Sequence, residues 1–182
     1  MSETENRCLD TFPEWLRTLA SDAMALGEIV GDAALPEPAR RYAAVGLNYL
    51  FKSLDLIPDG IEDLGFLDDA FVVRVAATLA LADAPDARER IPVLGRLADQ
   101  SKLIGELLGQ DYGRLEAYVR GLRQAVARGR SVDEILASEQ VRREFLNEVS
   151  GWSKSYEAPS FSRDEKNLVK LRSFLSAKLP KI

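Results

Sequence analysis

The stretch "DDAFVVRVAATLALA", residues 68–82, constrains the fold more than any other part of this chain. Beyond the two aspartates, only Arg74 and Thr78 interrupt a surface that is apolar on nearly every helical face. A helix that is hydrophobic all round is either buried in a protein core or inserted in a membrane. The apolar run Ala70–Ala82 is thirteen residues long, short of the roughly 20 that a spanning helix requires. A central core helix wrapped by the rest of the chain is therefore expected.

The remaining segments supply amphipathic partners for it. Thr11 with Glu14 three residues later, and Pro13 in the first turn, predicts a capped helix start. Phe12, Trp15, Leu16, Leu19, Ala23, Leu26 and Val30 then follow helical spacing. A second helix is expected over about 38–54. It ends before Ile57, because a residue preceding proline is pushed out of helical geometry. Pro58-Asp59-Gly60 reads as a turn and Gly65 as a second break. Further helices are expected over about 93–108, from a cap at Asp111, from a capping box at Ser131 and Glu134 to about Ser150 with a bend near Ser138, and from Ser162 with Glu165. No strand pattern and no repeat is visible. The chain reads as all-α, with about seven helices and a central helical hairpin around the acidic loop 55–69. Residues 1–84 contain that hairpin, at about 41–81, and residues 85–182 form a helical C-terminal region packed on it as one domain.

Composition removes several kinds of chemistry. The chain has no histidine, which excludes Ser-His-Asp and Cys-His catalysis and ordinary zinc sites. Any metal would be a hard cation held by oxygens, such as Mg²⁺, Ca²⁺ or Mn²⁺. The single cysteine, Cys8, cannot form an internal disulfide and is expected as an exposed thiol in a mobile end. With no secretion signal at the start, a cytoplasmic setting is expected. The net charge of −5 argues against general nucleic-acid binding. It is unevenly spread: residues 1–110 hold 10 Lys and Arg against 19 Asp and Glu, and residues 111–182 hold 14 against 10.

The segment "SLDLIPDGIEDLGFLDDAF", residues 53–71, carries the candidate site. Asp55, Asp59, Asp68 and Asp69 lie among large apolar residues, where an unpaired charge is costly. Two readings are open. Asp68 or Asp69 can cap the third helix, meeting its free N–H groups and the positive end of its dipole. Asp55, at the end of the preceding helix, is electrostatically awkward and asks for a partner. Alternatively the hairpin brings all four carboxylates to one end, where they ligate a divalent cation. Arg40, Arg41 and Arg74 are candidates for neutralising the cluster.

The run Tyr49 through Phe71 resembles the YkvA-like family, a bacterial domain of unknown function. Tyr49, Asp55, Leu56, Ile57, Pro58, Asp59, Gly65, Phe66, Leu67, Asp68 and Asp69 match its core in order. Two departures stand out. Lys52-Ser53 replaces the family's Ser-Pro, which lets the helix continue, and Gly60-Ile61-Glu62 replaces a frequent Phe-Ile-Pro. The resemblance implies a helical hairpin in which Tyr49, Pro58 and Gly65 are structural, a bacterial origin, and no particular activity.

Residues 112–130 hold Arg114, Arg120, Arg123, Arg128 and Arg130 against Glu116 alone. They are expected on a solvated helix face, with an acidic partner or an anionic lipid surface as the functional alternative. Trp15 and Trp152 are expected as packing residues. Together these features point to a helical binding or interaction module with a protein partner, of undetermined oligomeric state and without catalytic residues. The alternatives are a divalent-cation-dependent enzyme acting on an anionic or phosphorylated substrate, and a peripheral membrane protein whose apolar hairpin lies against lipid.

Overall fold

The computed structural model describes residues 1–182 except 53, 54, 59 and 62. Nine α-helices appear among the described residues: α1 (Glu3–Gly31), α2 (Glu37–Tyr49), α3 (Leu67–Asp83), α4 (Ala87–Arg90), α5 (Pro92–Leu108), α6 (Asp111–Gly121), α7 (Val132–Ala137), α8 (Glu139–Ser155) and α9 (Glu165–Lys178). The fold is all-α. The central position falls to α3, which packs most heavily on α5 and α2. Fourteen of its residues are buried, Arg74 among them. No described helix is long and apolar enough to cross a membrane.

Several boundaries differ from the sequence reading. The capping box lies at Ser2 and Glu5, not at Thr11 and Glu14, so α1 begins nine residues earlier and Pro13 sits inside it. The cause is the apolar face, which extends back through Leu9 and Cys8, both buried. Cys8 is thus a core residue and not an exposed thiol; burial raises its pKa to about 11. The α2 helix stops at Tyr49, and Lys52 does not prolong it: its N–H closes a turn onto the Tyr49 carbonyl at 3.0 Å. Two helices exceed the expected seven. One is the single turn α4, which ends at Ile91, held out of helical geometry (φ −131°, ψ 82°) ahead of Pro92. The other comes from Ser138, whose hydroxyl accepts the Val141 N–H and turns the expected bend into a break between α7 and α8. The cap of α9 is Asp164, not Ser162. Asp111 is the first residue of α6 rather than its cap.

A short antiparallel ladder pairs Val126 with Ser131 and Ala127 with Arg130. Its turn residues Arg128 and Gly129 both have positive φ, 50° and 78°, the backbone that a tight two-residue hairpin requires. Two residues a side leave no alternation to detect in the sequence.

The α2 and α3 helices form the expected hairpin. Tyr49 meets Asp68 at the loop end, and Gly46 lies against Val73 further in, so the chain directions are opposed. The hairpin is enclosed by α1, α5 and the C-terminal elements, and one hydrophobic cluster runs from Cys8 to Leu179.

Candidate functional site

The hairpin loop is organised by one buried pair. Tyr49, the last residue of α2, donates its phenol hydrogen to Asp68 Oδ2 at 2.6 Å. The same phenol oxygen accepts the Leu56 N–H at 2.9 Å, and Asp68 Oδ2 also accepts the Ile57 N–H at 3.2 Å. Two amides of an apolar loop segment are thereby satisfied by side chains where no helix or sheet supplies partners. Tyr49 and Asp68 are both buried. Burial, then the charges of Asp68 and Asp69, push the Tyr49 phenol far above its ordinary pKa. It therefore stays protonated and acts as a donor.

Asp68 and Asp69 are the second and third residues of α3, and neither caps it. The cap position belongs to Phe66, whose φ of 65° lies in the left-handed region, uncommon for an aromatic residue. Its ring packs against Tyr156 at 5.3 Å and Trp152 at 6.2 Å between centroids. Among the described residues of the loop, left-handed backbone falls on Asp63 and Phe66, while Gly65 occupies an ordinary turn between them. Asp63 accepts from the Ser162 hydroxyl at 2.9 Å, tying the loop to the segment before α9. Pro58 is exposed, and its carbonyl accepts the Ile61 N–H at 3.0 Å.

Of the four aspartates considered as cation ligands, Asp59 lies outside the described residues. Asp55 is half-buried before the Leu56-Ile57 amides, and Asp69 is buried beside Asp68. Among the described residues, no three acidic, cysteine or histidine side chains group as a metal site needs. The arginines considered as neutralising partners lie elsewhere. Arg40 donates to the Val30 carbonyl, Arg41 pairs with Glu37 and Asp133, and Arg74 faces α1.

Arg74 belongs to a second buried polar centre that the sequence reading did not assemble. Its guanidinium is fully buried, donates to the Ala70 carbonyl and Gln100 Oε1 at 2.9 Å each, and lies 4.1 Å from the centre of the Trp15 ring. Asp22 bridges it at 3.6 Å to Arg96 at 2.7 Å. Burial lowers the Arg74 pKa to about 9, with Asp22 opposing, so the group remains a cation at neutral pH. A signal existed: Asp22 is a lone acid on the apolar face of α1, and Arg74 a lone base in an apolar helix.

The basic segment 112–130 is divided: Arg130 is buried and Arg114 half-buried, whereas Arg120, Arg123 and Arg128 are exposed. Arg114 caps the end of α9, donating to the carbonyls of Ser176, Leu179 and Pro180. Arg120 reaches the Tyr42 hydroxyl, Arg123 lies over the Tyr42 ring, and Arg128 and Arg130 pair with Glu148. Arg114 and Arg130 are thus internal clamps, while Arg120, Arg123 and Arg128 stay exposed, Arg120 on the solvated helix face expected of it.

Residues 39–74 match a family described as "Protein of unknown function (DUF1232)". That span runs from the third residue of α2 to Arg74, so it contains the Tyr49–Asp68 pair and the whole loop. No curated protein and no solved structure matches the chain.

Proposed function

We propose that residues 39–74 are a YkvA-like hairpin scaffold, and that the chain is a bacterial, cytoplasmic binding module rather than a catalyst. The observation that carries this reading is the engagement of Asp68. Its Oδ2 already takes the Tyr49 hydroxyl and the Ile57 amide, so the carboxylate holds the shape of the loop. A loop fixed this way presents the exposed Pro58 and Gly60 to a partner protein at little ordering cost, which favours recognition. The loop's sequence contains no histidine and no cysteine.

Thermal unfolding in EDTA and then with Mg²⁺, Ca²⁺ or Mn²⁺ tests the reading. We expect no cation-dependent shift, with Asp68→Asn and Tyr49→Phe both lowering the midpoint. A ligand at 100 times its dissociation constant stabilises by about 2.7 kcal/mol, which is roughly 5–11 °C at this size. A shift of that order, lost in Asp68→Asn, would sink the scaffold reading and make the loop a cation site for an enzyme acting on an anionic substrate.

A further inference from the structure

We infer that the solvent face of α9 is a docking surface for an anionic phospholipid bilayer. Residues 163–182 carry six Lys and Arg against two acids, a local charge of +4 in a chain of −5. The two arginines are engaged: Arg163 pairs with Asp10, and Arg172 with Glu5. The lysines are not. Lys166, Lys170, Lys178 and Lys181 are all exposed, and none forms an ion pair among the described residues.

The helix is two-sided. Leu168, Leu171 and Leu175 face the core. On the other side Lys166, Val169, Lys170, Ser173 and Ala177 are exposed, at spacings that share a face. Val169 is 56% exposed between two lysines, and Ile182, beyond the helix, is 83% exposed. An apolar side chain set among lysines suits a headgroup layer, where it enters the acyl boundary while the long basic chains reach the phosphates. A specific acidic protein would be met better by arginine forks, and the arginines of this region are already bonded internally.

The proposal needs neither the apolar hairpin nor the arginines of residues 114–130, each of which has a partner within the fold. It is also independent of the hairpin scaffold, since α9 lies outside residues 39–74. Because the whole chain is negative, attraction acts only within about a Debye length, ~8–10 Å at ordinary salt. Binding is therefore weak, reversible and strongly salt-dependent.

The test is sedimentation of the full chain with vesicles of phosphatidylglycerol and phosphatidylcholine in equal parts, and with vesicles of phosphatidylcholine alone. Binding is expected only to the former, at about 0.05 M salt, and is lost at about 0.5 M. Each lysine near such a surface is worth about fivefold in affinity, so Lys166→Glu with Lys170→Glu weakens binding by at least ~25-fold. Val169→Asp weakens it as well, whereas Lys102→Glu, an exposed charge on α5, does not. Circular dichroism of each variant checks that it is folded. Absence of binding to the anionic vesicles at low salt overturns the proposal. So does binding that the α9 variants retain, or that Lys102→Glu reduces equally.

Discussion

At the scale of single residues, the phenol of Tyr49 does two opposite things at once. It donates to a carboxylate and accepts from an amide, which only a protonated hydroxyl in this orientation can do. Tyr49→Phe removes both bonds and leaves a buried amide and a buried carboxylate each short of a partner. We expect a loss of about 1–3 kcal/mol in urea unfolding at pH 8. Burial and the neighbouring carboxylates raise the folded pKa of Tyr49. The stability linked to that shift is intact below the unfolded value, about 10, and falls as pH rises beyond it. At pH 11 the wild type therefore loses about 1.4 kcal/mol that the phenylalanine variant does not. The penalty of Tyr49→Phe should shrink by that amount between pH 8 and pH 11. An unchanged penalty would mean that the phenol ionises freely in the folded protein.

At the scale of elements, the α2–α3 contact rests on Gly46. A Cβ there would sit 3.1 Å from Val73 Cγ1 and 3.4 Å from Val73 Cα. Backbone cannot withdraw as a flexible side-chain end does, so Gly46→Ala is expected to destabilise by about 1–3 kcal/mol. Gly121, helical at φ −65° and with nothing within 4 Å of an added Cβ, is the contrasting case. There alanine should stabilise by up to ~1 kcal/mol. Equal effects at the two sites in chemical denaturation would disprove the close approach. The helices themselves were legible because Leu, Ala and Val recur on one face of each, and α3 because it is apolar throughout. Their ends were less so. Thr11–Glu14 and Ser2–Glu5 are equally good capping boxes as strings, and only the burial of Cys8 and Leu9 decides between them. The acids of the loop stood out, but which one is committed depends on Tyr49 lying beside Asp68, nineteen positions away. Of the arginines of 114–130, Arg120, Arg123 and Arg128 are exposed as expected, and Arg114 and Arg130 are drawn inward by partners distant in sequence, the end of α9 and Glu148.

At the scale of the whole molecule, the question is whether the hairpin half and the C-terminal half unfold together. Their links are numerous and of different kinds. Apolar side chains from Cys8 to Leu179 form one cluster. The Tyr156 hydroxyl donates to the Leu16 carbonyl at 2.7 Å, joining the segment after α8 to α1. Arg7 with Glu106, and Arg163 with Asp10, bind the amino-terminal turns of α1 to α5 and to the segment before α9 at 2.7 and 2.8 Å. Exposed pairs like these add little each, so cooperativity must come from the shared core. The two tryptophans allow a direct measurement. Trp15 is buried against Phe12 and Phe71, and Trp152 packs on Phe66 and Tyr156. In Trp152→Phe, fluorescence reports the first half; in Trp15→Phe it reports the second. Trp15→Phe also leaves space beside Arg74 and is expected to be the less stable, so each variant is compared with its own circular dichroism. We expect the fluorescence and dichroism midpoints in urea to coincide within each variant, the behaviour of a single cooperative unit. A Trp152 transition displaced from the dichroism curve would mean that residues 85–182 can come away while the hairpin stays folded. The Phe66–Trp152–Tyr156 contacts, which bridge the loop to α8, would then be the first to open.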